Sequence, residues 1–176
     1  MNSEKPIGAD NQQETEDPHQ RLDPWWIVGF VDGEGCFSVS IHRNETNARR
    51  TGGWQLTPVF QVSQHESNRM VLERIAAHFG CGNLYGKGPN SSVMTFTVSR
   101  LRDLAATVVP FFEERPLRVK DQDFRKFAEI VRSMRRREHW SPEGFDRLVR
   151  SAYSMNAHGK QRSRDIEDIL QGSSET

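Results

Sequence analysis

Ile27-Val28-Gly29-Phe30-Val31-Asp32-Gly33-Glu34-Gly35 is an apolar run that closes on two acids set between glycines. Asp23-Pro24 stands at its head, a helix-entry signal. A helix is therefore expected from Pro24, and buried all round, because Trp25 to Val31 is apolar on nearly every side. Gly29 and Gly33 lie four apart and clear one stripe of that helix, which lets a second helix approach closely; a core helix with incidental glycines would carry the same pattern. Glu34 falls in the last turn, where the helix dipole is negative and an acid costs a few tenths to about 1 kcal/mol. A bound cation would reverse that sign. Asp32 and Glu34 are two apart and point in different directions, so separate roles are expected for them.

Downstream, Cys36-Phe37-Ser38-Val39-Ser40-Ile41-His42 alternates with period two, with Ser38, Ser40 and His42 on the wet face. A polar loop over residues 43–53 leads to Trp54–Gln64, in which Gln55, Thr57, Val59 and Gln61 share a face, so the pair reads as an antiparallel hairpin. Residues 67–79 have helical spacing and stop at Gly80, a C-terminal cap. A second hairpin (Asn83–Lys87 and Val93–Ser99) and a helix over Arg100–Phe112 follow, then helices over Asp121–Arg137 and from Ser141-Pro142 to near Met155-Asn156. Two hairpins, each followed by a helix, merge into one sheet with helices on one face and the polar face open, an α+β fold. Small polar and amide side chains suit base edges in a groove, and an ordinary wetted face would have the same composition.

The 24 basic and 24 acidic side chains cancel, which for a whole chain argues against a polyanion partner. They are segregated, however. Glu4, Asp10, Glu14, Glu16, Asp17 and Asp23 face only Lys5 and Arg21 in residues 1–24, and residues 165–176 carry four acids and no base. The body over residues 25–164 is left at +8, which readmits a polyanion partner. Residues 1–23 are polar, aperiodic and expected as a disordered acidic extension, and 165–176 as an acidic tail. Cys36 and Cys81 lack metal-ligand spacing and are expected as reduced, partly buried thiols. With no signal peptide and no membrane-length run, an intracellular location is expected, in a bacterial cytoplasm or the organelle holding the host genome, without a membrane partner.

The run Ile27–Gly35 resembles the motif of the LAGLIDADG homing endonucleases, with conservative apolar changes and Glu as the last acid. Phe60-Gln61-Val62-Ser63-Gln64 resembles the family's second-strand ending and Leu117-Arg118-Val119-Lys120 the approach to its lysine-bearing helix. Glu138-His139-Trp140-Ser141-Pro142-Glu143-Gly144, with Met155-Asn156, resembles its C-terminal helical region. The resemblance covers about residues 25–164, so the endonuclease domain is expected over 24–164 and both acidic ends fall outside it.

The resemblance implies an αββαββα core whose saddle-shaped antiparallel sheet binds DNA, with C-terminal helices added. It implies that Glu34 binds a divalent metal, Mg²⁺ with Mn²⁺ as a substitute, and that the Gly33 carbonyl completes the oxygen set. Hard cations held by carboxylate oxygens suit phosphodiester hydrolysis. Gln64 then positions the attacking water, and Lys120 orders water or neutralises charge at the scissile phosphate. The stretch Glu113–Arg118 is longer than the family pattern, which leaves Arg118 as an alternative to Lys120. The motif helix forms a subunit interface through Trp26, Gly29, Phe30, Asp32 and Gly33, with Asp32 an interface or helix-capping acid and direct catalysis its lesser alternative. A single motif cuts two strands by pairing two copies, so a homodimer on a long pseudo-palindromic double-stranded site is implied.

Strand parity and the resemblance together nominate Ser38, Ser40, His42, Asn44, Gln55, Thr57, Gln61, Asn83, Tyr85, Lys87, Thr95 and Thr97 as base readers. Arg49 and Arg50 reach outer base pairs, and Lys160 and Arg162 join Arg135, Arg136, Arg137, Arg147, Arg150 and Arg164 on the backbone, although solvation accounts for any one of them. The expected activity is Mg²⁺-dependent, site-specific cutting of double-stranded DNA by an intron-encoded homing enzyme, with no small-molecule substrate. The alternative is a splicing maturase or a non-cleaving DNA-binding regulator on the same scaffold.

Overall fold

The computed structural model describes residues 21–44, 53–88, 91–156 and 165–174. Helix α1 (Pro24–Glu34) starts where the Asp23 carboxylate accepts the N–H groups of Trp25 and Trp26 at 2.8 and 3.1 Å. Strand β1 (Gly35–Arg43) follows without a loop. The join requires glycine: a Cβ on Gly35 would come within 2.6 Å of the Val31 side chain and 2.7 Å of its carbonyl oxygen.

Strand β2 (Trp54–His65) runs antiparallel to β1, with Gly35 opposite Val62 and Arg43 opposite Trp54, and the Arg43 guanidinium lies 4.7 Å over the Trp54 ring. Helix α2 (Arg69–Phe79) ends on Gly80 at φ 62°, as its sequence predicts. Strands β3 (Asn83–Gly86) and β4 (Val93–Val98) complete one four-stranded antiparallel sheet in the order β1-β2-β4-β3. Pro58 is tolerated inside β2 because β4 pairs only with Phe60–His65, so at Pro58 the strand has one neighbour.

Leu101–Asp103, Leu104–Val108 and Val109–Glu114 run on as one helix, α3, whose middle five residues are wound as a π-turn. Helices α4 (Asp121–Arg135), α5 (Pro142–Tyr153) and α6 (Ile166–Ser174) follow. Phe37 is the hub between layers, its ring 5.1 to 5.4 Å from those of Phe60, Phe112, Phe124 and Phe127. The helices therefore cover one face of the sheet and leave the polar face open. Asn156, at φ 48°, donates through Nδ2 to the Phe37 carbonyl at 2.9 Å and through its N–H to Asp123 at 3.1 Å, pinning the end of the helical region to β1.

Four expectations change. Helix α1 buries only Ile27, Val28 and Val31; Trp25 and Trp26 are 59% and 44% exposed, because an eleven-residue helix lying on a sheet has one side to bury. The C-terminal stretch expected as a tail forms α6, which packs on α5 and buries Ile169 and Leu170. At the other end, Leu22 packs against the core and Asp23 caps α1, so the extension is shorter than expected; residues 1–20 lie outside the described residues. Cys36 is exposed, since it shares its strand parity with Ser38, Ser40 and His42 and lies opposite Gln61 on the polar face. Among the described residues, no helix is long and apolar enough to cross a membrane.

Candidate active site

The C-terminus of α1 meets the loop that enters α4, and Asp32 makes the join. Its carboxylate accepts the backbone N–H groups of Arg118, Val119 and Lys120 at 2.9 to 3.0 Å, three consecutive donors more than 80 residues away in sequence. Partial burial pushes the Asp32 carboxyl up, but the N–H groups of Val119, Lys120 and Arg118 and the Lys120 ammonium outweigh it and hold the group below the ordinary carboxylate value. Of the roles expected for Asp32, the structure displays capping: its carboxylate is turned toward the loop that enters α4.

Fixed from its backbone, Lys120 reaches back to α1. Its ammonium donates to the Gly33 carbonyl at 3.0 Å and, in a short contact, to the Asp32 carbonyl. These oxygens belong to the negative end of α1, which accounts for a cation there. Arg118 contributes only its N–H to the join. The next residue on α1, Glu34, is exposed, and no hydrogen bond or ion pair engages its carboxylate among the described residues.

Gln64 stands two residues past Val62, the partner of Gly35, and so lies at the sheet end from which α1 departs. Its Oε1 accepts the amide of Asn68 at 3.1 Å. Beside this corner the polar face spreads in rows. Cys36, Gln61, Thr97 and Asn83 form one row across all four strands; Ser63, Thr95 and Tyr85 form the next. Gln61 donates to Thr97 at 3.4 Å, and the hydroxyls of Ser63 and Thr95 lie 2.9 Å apart. On the β1–β2 side, Ser40 faces Thr57 and His42 faces Gln55, whose Oε1 accepts the Asn44 amide. Ser38 lies opposite Val59 in the same hairpin.

Lys87 follows the end of β3 as an exposed turn residue. Arg49, Arg50, Lys160 and Arg162 lie outside the described residues. Ser63 and Cys36 share the polar face without standing among the expected base readers, although strand parity places both there.

The LAGLIDADG endonuclease family model matches residues 27–131, from the start of the motif through most of α4. The chain belongs to the LAGLIDADG endonuclease family. The homing endonuclease I-ApeII of Aeropyrum pernix is 32% identical over 149 residues, 82% of this chain and 86% of the relative. A probable intron-encoded endonuclease of Neurospora crassa is 26% identical over 77% of this chain but only 25% of its own length. Among solved structures, the homing endonuclease I-TnaI superposes with a TM-score of 0.74 at 34% identity, covering 89% of this chain and 99% of its own. The archaeal intron-encoded homing endonuclease I-Vdi141I, complexed with DNA, has a TM-score of 0.77 at 30% identity, covering 86% and 94%.

As a LAGLIDADG chain, it offers Glu34 and the Gly33 carbonyl as adjacent oxygen donors, the type a hard divalent cation takes. Among the described residues, no group of three or more His, Cys, Asp or Glu side chains gathers. That set fits an ion such as Mg²⁺, which keeps several waters and uses one or two carboxylates, better than it fits a closed protein cage.

The Asp32 capping gives a test of the join. Asp32→Ala leaves three N–H groups without their acceptor and is expected to cost about 1–3 kcal/mol of unfolding free energy. A carboxyl lowered in the folded state contributes fully above its unfolded pKa, about 3.9, and loses its contribution as pH falls through the lower folded value. The gap between parent and variant in urea unfolding should therefore hold at neutral pH and close only in acid, below about pH 4.

Proposed function

We propose that this LAGLIDADG protein is a site-specific DNA endonuclease that cuts both strands of a long pseudo-palindromic site as a homodimer, with a divalent cation, Mg²⁺ by preference and Mn²⁺ as a substitute. The observation that carries the reading is the corner where the Glu34 carboxylate, without a partner among the described residues, the Gly33 carbonyl and the Lys120 ammonium meet the end of an open polar sheet face.

Glu34 would hold the cation, joined by the Gly33 carbonyl once the Lys120 ammonium that rests on it gives way, and the ion would supply water activation and charge neutralisation. Lys120, held by Asp32, keeps a positive charge at the same spot and neutralises the scissile phosphate. Gln64 orders the attacking water through its amide. The rows from Ser38, Ser40 and His42 across Gln61, Thr97, Asn83, Thr95 and Tyr85 read base edges, and the short hydroxyls do so where the groove is close or through water. Asn44, Gln55, Thr57 and Lys87 extend the reading surface outward, and Arg49, Arg50, Lys160 and Arg162 add charge for the phosphates.

The homodimer reading rests on the other side of α1. Trp26 stacks on Phe30 with ring centroids 5.0 Å apart, both tryptophans are exposed, and a Cβ added at Gly29 or Gly33 would meet nothing within 4 Å. An apolar helix face with glycines that no described residue of its own chain requires suits a second copy of the same helix.

The test is a plasmid carrying the intron-less insertion site. The parent protein should linearise it with Mg²⁺ and bind without cutting with Ca²⁺. Tight binding with no cut at any Mg²⁺ concentration would overturn the nuclease reading in favour of a maturase or a DNA-binding regulator.

A further inference from the structure

On the outer side of the helical layer, α3 and α4 enclose a groove of about 310 Å³ lined by Arg102, Ala105, Ala106, Arg132, Arg135 and Arg136. Ala105 and Ala106 belong to the π-turn Leu104–Val108. Pro110 has no N–H for the Ala106 carbonyl, and its ring would clash with that carbonyl in a regular helix; the turn just before it is widened instead. Leu104 and Val108 point into the core, which turns the small Ala105 and Ala106 outward to the groove.

Cations at the end of α4 complement the helix dipole, which accounts for Arg132, Arg135 and Arg136 but not for Arg102 arriving from α3 across an open groove. Arg102 pairs with Asp103 at 3.2 Å, Arg136 pairs with Glu138 at 2.5 Å, and Arg132 pairs with Glu113. These three guanidinium side chains are 48–78% exposed. Exposed pairs are worth about 0–1 kcal/mol, so phosphate oxygens can replace the carboxylates at little cost. Arg135 has no carboxylate partner among the described residues.

We propose that this four-arginine groove binds the phosphodiester backbone of a nucleic-acid strand other than the duplex assigned to the sheet. Separation follows from the fold. The polar face and the groove lie on opposite sides of the phenylalanine core, and the fifteen residues of α4 put about 22 Å between Lys120 and Arg135. A strand is favoured over a lone phosphate because three tethered carboxylates already compete for the guanidinium groups. Several linked phosphates engage all four at once and release counterions as they do so.

Binding of labelled single-stranded RNA, single-stranded DNA and duplex DNA to the full chain tests this, with inorganic phosphate as competitor. Arg102→Ala/Arg132→Ala should weaken single-strand binding about tenfold and flatten its log–log salt slope by about 1.4, leaving duplex binding within about twofold. Thr97→Glu, an acid on the polar face, should do the reverse. Ala106→Glu removes no arginine yet places an acid in the groove lining; the same loss at an unchanged melting temperature excludes an unfolding effect. The RNA and DNA arms identify which strand is preferred. Undiminished single-strand binding in both groove variants, or equal loss of duplex binding, overturns the proposal. Displacement of the strand by low millimolar phosphate overturns it in favour of a small-anion site.

Discussion

Glu34→Gln will bind a target duplex as tightly as the parent and cut it about a thousandfold more slowly, the scale on which a charge-stabilising group at a reacting centre acts. The local chemistry separates this effect from any damage to the fold. Glu34 is exposed, has no partner among the described residues, and sits at the negative end of α1, where its charge is unfavourable. Removing that charge with an isosteric amide should raise unfolding free energy by a few tenths of a kcal/mol. A melt and a cleavage time course on one preparation should therefore move in opposite directions. Cutting within about tenfold of the parent would take hydrolysis away from Glu34.

Gly29→Arg should give an equally large loss by a different route. Nothing lies within 4 Å of the Cβ it would add, and the position is solvent-facing in the single chain, so the monomer accepts the side chain without strain. Replacing a mid-helix glycine by arginine even favours α1 by about 0.5–1 kcal/mol. Placed between two apolar helix faces, the same side chain forbids close approach and buries an unpaired charge. Sedimentation should show a stable monomer, and linearisation of the plasmid should fall below detection. A variant that still sediments as a dimer and cuts both strands would remove α1 from the interface.

The two substitutions differ in how legible their targets were. Glu34 and Gly29 stand in one short run, and their oddity is local: an acid at the wrong helix end and two glycines on one stripe. The polar face was equally legible, because strand parity is fixed by the alternation of side chains and the register keeps Ser40 opposite Thr57 and Thr97 between Gln61 and Asn83. Asp32 was not. Its spacing from Glu34 said only that the two acids diverge, and its three donors lie in a loop more than 80 residues on. The arginine groove was hidden for the same reason, since Arg102 and Arg135 become neighbours only when α3 crosses α4. Composition misled at the C-terminus, where four acids read as a solvated tail while Ile169 and Leu170 were enough to dock a helix on α5.

By itself the sequence determined the α+β order of elements, the face of each strand, the cap on α2, and the motif that announces the family, because periodicity, capping and turn chemistry act over a few residues. Tertiary structure alone decided that Asp32 ties α1 to the entrance of α4, that the Lys120 ammonium rests on the Gly33 carbonyl, and that one side of α1 stays open. Those outcomes depend on how separate elements pack around Phe37, and no local pattern encodes the direction from which a distant backbone N–H will arrive.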